Sequence, residues 1–143
     1  MSRVTTAVGT AGYSGTPLPR KLGLVRGMRL HVFGCPVPYG EIVAPLPEGI
    51  AFDEEPGPTT DLAHVFVVDK AVLADRLSTL RSSLRPTVPV WVSWPKRAAR
   101  VLTDVTEDAI RAIALPMGFV DVKVCAVDAT WSGLKLVVRV ANR

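Results

Sequence analysis

The sequence is poor in the features that mark several large classes of protein. Its 143 residues include only two cysteines, Cys35 and Cys125, which excludes a disulfide scaffold and a C-x-x-C metal or redox site. No apolar run approaches the ~20 residues that a membrane-spanning helix requires. Residues 1–20 also contain no apolar core of a secretory signal. We therefore expect a cytoplasmic protein with no membrane partner.

The sequence motifs of common enzymes are missing as well. There is no G-x-S-x-G, P-loop or H-E-x-x-H pattern. His31 and His64 are the only histidines, and neither has a partner at metal-ligand spacing. Cys35 lies beside prolines, and nothing near it in the sequence indicates a reactive thiol. We expect no catalytic residue, metal or cofactor, and leave open whether the protein is an enzyme.

The composition is that of one soluble globular domain. Hydrophobic residues make up 48% and charged residues 21% of the chain, and 17 Lys and Arg against 13 Asp and Glu give a net charge of +4. Charge is sorted in blocks: residues 1–40 and 76–100 carry cations without acids, and residues 41–69 carry acids without cations. Such blocks indicate either solvated, mutually complementary surfaces or an anion site where basic segments meet.

Hydrophobic periodicity predicts an α/β domain at residues 28–143, preceded by an N-terminal arm at residues 1–27. Apolar stripes predict one helix over 70–84, capped by Asp69, and a second that begins at Thr106. Runs of β-forming residues predict strands at 29–33, 50–52, 63–68, 88–94, 121–128 and 134–140. Alternating strands and helices favour a single Rossmann-like, mostly parallel sheet with helices on its faces. Strand 134–140 then closes a C-terminal antiparallel β-hairpin.

This order of elements resembles the second half of the class I methyltransferase fold over about residues 28–140. In that fold, the first strand leads into a glycine-rich loop and a helix that hold S-adenosylmethionine. The corresponding stretch here, Phe33 to Gly40, has no G-x-G-x-G pattern, and Pro36 and Pro38 remove backbone donors. Asp53 or Glu54 is the candidate for the acid that contacts the ribose. We expect a related fold that lacks this cofactor.

A second resemblance rests on six short motifs. They are similar to those of a small bacterial family labelled a domain of unknown function, which implies a cytoplasmic bacterial protein without implying an activity. Val122 departs from this pattern, which has Asn there. The motifs are GYSGTPL at 12–18, KLG at 21–23, WPK at 94–96, TDxTE at 103–107, KVCA at 123–126 and DxxWSGL at 128–134.

The carboxyl ends of the predicted strands indicate where a ligand would bind. In open α/β sheets, ligands bind outside the carboxyl ends of parallel strands, and polar and aromatic residues follow several strands here. The alternatives are that the tryptophans cap the core edge and that Asp128 closes a turn. The candidate ligand-binding residues are Tyr13, Thr16, Cys35, Trp94, Lys96, Arg97, Asp128, Trp131 and Ser132.

Three functions remain open on the sequence alone. The first is a non-catalytic binding or regulatory protein that holds a small anionic ligand or a protein partner at the carboxyl rim of the sheet. The second is a small, diverged methyltransferase-like enzyme. The third is a nucleic-acid binder, which the basic composition favours, although only 6% of the residues are aromatic and no nucleic-acid motif is present. We favour the first.

Overall fold

A computed structural model describes residues 15–143, and the candidate residue Tyr13 lies outside this range. One six-stranded sheet organises the chain, with spatial order β2-β1-β3-β4-β6-β5. The strands are β1 (Arg29–Phe33), β2 (Ala51–Phe52), β3 (Leu62–Phe66), β4 (Val90–Pro95), β5 (Phe119–Ala126) and β6 (Trp131–Val138). The helices are α1 (Leu18–Leu22), α2 (Tyr39–Ile42), α3 (Lys70–Ser83) and α4 (Glu107–Ala114).

The sheet is mostly parallel and ends in an antiparallel hairpin, as the sequence predicts. β1 pairs in parallel with β2 and β3, and β3 pairs in parallel with β4. β6 lies antiparallel between β4 and β5. β5 therefore runs in the same direction as β4 without touching it, and its far side forms an edge of the sheet.

The hairpin turn is tighter than expected. The sequence predicts connecting residues at 129–133, whereas β6 already begins at Trp131. The reason is Asp128, whose Oδ1 accepts hydrogen bonds from the amides of Thr130 (2.8 Å) and Trp131 (2.7 Å). This Asx-type turn reverses the chain within a few residues, so Trp131 and Ser132 become strand residues.

Helices α3 and α4 cover one face of the sheet. Asp69 caps α3 by accepting hydrogen bonds from two amides of the first turn, and Thr106 caps α4 in the same way. The predicted stripe Leu73, Leu77 and Leu80 is buried against the sheet. Both predicted helices and their caps are confirmed.

Leu80→Ala is expected to destabilise the protein by about 2–5 kcal/mol, the range for truncating a large side chain in a core. Leu80 belongs to the cluster between α3 and the sheet, and only 2% of its surface is exposed. Urea denaturation would measure the change. Ser78→Ala, at an exposed site of the same helix, serves as the control and should stay within about 0.5 kcal/mol. Equal values for the two variants would mean that the buried face is misassigned.

Helices α1 and α2 cover the other face. Leu22, Leu24 and Tyr39 are buried there together with Trp91 of β4. The indole Nε1 of Trp91 donates a hydrogen bond of 2.9 Å to the carbonyl oxygen of Leu22. The boundary predicted at residue 27 is therefore wrong, because the chain from α1 onward is part of the core.

The half of the sheet around β1 and β2 has short strands and little helix. β2 contains only two residues, and the single helix between β1 and β2 is the four-residue α2. No helix connects β2 to β3.

Within residues 15–143, no helix is both long enough and apolar enough to cross a membrane.

Candidate binding cavities at the carboxyl rim

The predicted rim residues divide between the two faces of the sheet. Trp94 pairs with Ser132 across β4 and β6, and Pro95 pairs with Trp131. Because successive side chains of a strand point to opposite faces, Trp94 joins the core under α3 and α4. Trp131 packs on the cluster under α1 and α2, with its ring 5.2 Å from that of Phe66. The expectation of one site shared by both tryptophans is therefore wrong.

A first cavity, of about 620 Å³, lies at the carboxyl end of β5. We call it the cationic cavity, because Arg20 and Lys21 of α1 and Lys123 of β5 line it and no acid does. It contains two predicted candidates, Thr16 and Ser132. Only the first basic block of the sequence contributes to it, since Lys123 lies outside both blocks. The remaining lining residues are Val124, Cys125 and Ala126.

One cation of this cavity is held by the backbone of α1. The Lys123 Nζ donates a hydrogen bond of 3.0 Å to the carbonyl oxygen of Lys21, which joins β5 to α1. Within residues 15–143, no ion pair engages Arg20, Lys21 or Lys123. The positive charge of the cavity is thus uncompensated by protein carboxylates.

Neither cysteine has the properties of a nucleophile. Burial raises the pKa of the Cys125 thiol, although the charges of Lys21 and Lys123 oppose this effect. Burial also raises the pKa of Cys35, which packs against the cluster under α1 and α2. Both thiols are protonated near neutral pH, and the thiolate is the reactive form.

A second cavity, of about 680 Å³, lies beyond the end of β4. We call it the mixed-charge cavity, because Lys96 and Arg97 line it together with Glu107 and Asp108. It takes up three predicted candidates, Trp94, Lys96 and Arg97. Pro95, Val101, Thr103, Val105 and Thr106 complete its lining.

A buried polar network escapes sequence analysis. His64 of β3 bonds through Nδ1 to the Tyr39 hydroxyl (2.8 Å) and through Nε2 to the Ser93 hydroxyl (2.7 Å). The hydrogen-bonded chain of Ser93, His64 and Tyr39 resembles a catalytic relay. However, Ser93 and His64 have no exposed surface that a substrate could reach. The only sequence signal for this network is a polar residue within each of two apolar strands. We interpret it as a core network that joins α2 to the sheet.

The network makes stability depend on pH. Burial lowers the pKa of His64 from 6.5 to about 3. Below pH 6.5, His64 is therefore protonated in the unfolded chain but stays neutral in the folded chain. The free energy of unfolding is therefore fully retained above pH 6.5 and decreases as the pH falls below it. From about pH 7.5 to about pH 5 we expect a loss of about 2 kcal/mol in urea denaturation. An equal loss in His64→Gln would contradict this assignment.

The loop that corresponds to the methyltransferase cofactor loop packs closely on β3. Gly34 follows β1 with φ +74°, and a Cβ there would lie 2.3 Å from the carbonyl oxygen of Phe66. The loop therefore packs directly on the end of β3. Beyond it, the ring of Phe66 stacks on His64 at 4.4 Å, and Tyr39 packs edge-on against both.

Asp53, the candidate for the acid that contacts the ribose, is already hydrogen-bonded to other residues of the protein. Its carboxylate accepts hydrogen bonds from Arg29 (2.7 Å), Thr59 (3.0 Å) and Thr60 (2.8 Å). Burial opposes ionisation, but these bonds and the charge of Arg29 outweigh it and lower the pKa of Asp53. A cavity of about 470 Å³ is present beside it and Glu54. Within residues 15–143, no three His, Cys, Asp or Glu side chains are grouped to hold a metal.

Comparison with solved structures places the fold among S-adenosylmethionine-dependent methyltransferases. A methyltransferase from Aquifex aeolicus superposes with a TM-score of 0.60 at 13% identity, over 85% of this chain and 87% of that one. The N-methyltransferase NodS from Bradyrhizobium japonicum gives 0.54 at 12%, over 80% and 87%. The fibrillarin pre-rRNA processing protein of Methanococcus jannaschii gives 0.55 at 11%, over 87% and 69%.

These similarities concern the fold alone, since the identities are low. No protein-family model matches the sequence, and no curated protein does either. Membership of the small bacterial family, and with it a cytoplasmic location, stays a prediction. The chain therefore has a methyltransferase-like Rossmann topology.

Proposed function

We propose that this protein is a non-catalytic binding protein that holds a small anionic ligand in the cationic cavity. The observation that carries the proposal is the composition of the lining, which has three cations from two separate segments and no carboxylate. Such a lining attracts anions and leaves a bound cation without a counter-charge. Thr16 and Ser132 add hydroxyl groups that can donate hydrogen bonds to an anionic ligand.

The motifs that carry the family resemblance support a binding role. Thr16 belongs to GYSGTPL, Lys21 to KLG, residues 123–126 to KVCA and Ser132 to DxxWSGL. All of these residues line the cationic cavity, although they are far apart in the sequence. If the motifs had a purely structural role, we would expect their residues to be buried. The residues that line the cavity are instead mostly exposed or half-buried. The motifs thus converge on a cavity.

The absence of catalysis is inferred from the same cavity. Burial keeps the thiol of Cys125 protonated, and the hydroxyl groups of Thr16 and Ser132 have no general base beside them among the described residues of the lining. Neither histidine lines it. The ligand is therefore held without a residue that would attack it or exchange protons with it near pH 7.

A diverged methyltransferase is the second candidate, and the fold similarity supports it. The loop after β1 weighs against it, because Gly34 packs on β3 and Asp53 is already bonded to Arg29. The charge of the cofactor also weighs against it. S-adenosylmethionine carries a sulfonium and an ammonium against one carboxylate, so the cationic cavity would repel it.

A thermal-shift screen separates the two candidates. Inorganic phosphate, pyrophosphate and citrate should raise the melting temperature in a concentration-dependent manner, since a ligand that binds only the folded state stabilises it. S-adenosylmethionine should produce no shift. A rise in melting temperature with S-adenosylmethionine, but with none of the anions, would contradict this proposal and support the diverged methyltransferase instead.

A further inference from the structure

The mixed-charge cavity is not used by the anion-binding function. It lies on the face covered by α3 and α4 and shares no lining residue with the cationic cavity. Its volume of about 680 Å³ falls within the range of about 300–1,000 Å³ that is usual for ligand sites. Two further motifs of the sequence, WPK and TDxTE, supply most of its lining.

The walls of the mixed-charge cavity are fixed before any ligand binds. The Thr103 hydroxyl donates to the carbonyl oxygen of Val68 (2.7 Å), and Asp104 accepts from the amide of Lys70 (2.8 Å). The Lys96 amide donates to the carbonyl oxygen of Thr130 (2.7 Å). These bonds tie the loop after β4 to α3 and to the hairpin turn, so little ordering remains to oppose binding.

Charges of opposite sign are held apart in this cavity. Lys96 and Arg97 follow β4, whereas Glu107 and Asp108 belong to the first turn of α4, and no ion pair joins the two sets. The carboxylates are only partly neutralised, since Glu107, Asp108 and Asp121 share the single guanidinium of Arg111. One part of the cavity thus favours an anionic group and another favours a cationic one.

Apolar surface accompanies these charged groups. Trp94, Val101 and Val105 line the same cavity; Val101 is 43% exposed, whereas Trp94 and Val105 are buried. A single amino acid places its ammonium and carboxylate on one carbon and would leave much of this volume empty. A short peptide separates the two termini and brings small side chains to the apolar wall.

We propose that the mixed-charge cavity binds a short zwitterionic peptide, with its carboxylate near Lys96 and Arg97 and its ammonium near Glu107. This inference is independent of the anion-binding proposal, because the two cavities share no lining residue. The ligand class follows from the separated charges, the volume and the apolar surface together.

The test uses trialanine as the probe and follows amide chemical shifts of the ¹⁵N-labelled full chain by NMR. Saturable shifts are expected at Thr103, Val105 and Glu107. N-acetyl-trialanine, which lacks the ammonium, and trialanine amide, which lacks the carboxylate, should each bind at least about tenfold more weakly. Absence of saturable shifts, equal binding of the blocked peptides, or equal binding of free alanine would overturn the proposal.

Two variants locate the site. Lys96→Ala and Glu107→Gln should each weaken trialanine binding about tenfold, which is about 1.4 kcal/mol. Lys70→Ala and Asp75→Asn alter exposed charges of α3 outside the cavity and should leave binding unchanged. Retained binding in Lys96→Ala would overturn the assignment even if Glu107→Gln fails to fold.

Discussion

Replacing Trp91 with alanine is expected to cost about 3–5 kcal/mol of unfolding free energy, which approaches the total stability of a domain of this size. Trp91 is the largest side chain without exposed surface. It also supplies the donor for the carbonyl oxygen of Leu22, and an unsatisfied buried acceptor adds about 1–3 kcal/mol. Urea denaturation followed by circular dichroism would measure the loss.

Trp91→Phe separates the two contributions. It keeps a buried phenyl ring but removes the five-membered ring with its Nε1–H donor. The unsatisfied carbonyl oxygen should cost about 1–3 kcal/mol, and the smaller ring adds a cavity cost below that of Trp91→Ala. Because the lost bond ties α1 to the sheet, amide hydrogen exchange should accelerate in α1 more than in α3. Uniform acceleration in both helices would contradict the role of Trp91 as the tie between α1 and the sheet.

Removing two cations from the cationic cavity is expected to abolish measurable anion binding. A hydrogen bond to a charged group contributes about 1.5–3 kcal/mol, so each of Arg20→Ala and Lys123→Ala should weaken binding about ten- to a hundredfold. Because both side chains would contact the same anion, their effects are coupled, and the double variant should bind more weakly than either single variant. Calorimetric titration with pyrophosphate would measure the change.

Lys135→Ala is the matched control for these variants. Lys135 lies on β6, next to β5, and carries the same charge, but it does not line the cavity. Its substitution should leave pyrophosphate affinity within about twofold, apart from long-range attraction that salt screens. If Lys135→Ala weakens binding as much as Lys123→Ala does, net charge rather than the cavity attracts the anion.

The sequence was a good guide to the fold because its signals are local. Asp69 and Thr106 mark helix starts by the chemistry of capping, and both caps are present. The apolar run at 63–68 predicts a strand buried on both faces, and β3 is buried throughout. The turn at Asp128 agrees with the alternative that the sequence offers for this residue, but the residue types do not show how far the turn shortens the connection to β6.

The site was harder to predict because it depends on which face of the sheet each side chain takes. Strand ends indicate a candidate rim, but a single site for Trp94 and Trp131 neglects the alternation of side chains along β4 and β6. Arg20, Lys21 and Lys123 were missed as cavity residues, because they meet only when α1 packs beside β5. The available signals are the basic block at the start of the chain and the KLG and KVCA motifs, which contain Lys21 and Lys123.

Calorimetric titration of the full chain with pyrophosphate and, separately, with S-adenosylmethionine tests the central claim most directly. The account predicts saturable binding of pyrophosphate that weakens as salt rises and is lost in the Arg20→Ala/Lys123→Ala variant, with no heat from S-adenosylmethionine. Saturable binding of S-adenosylmethionine that persists in the double variant, without binding of pyrophosphate, would contradict the account.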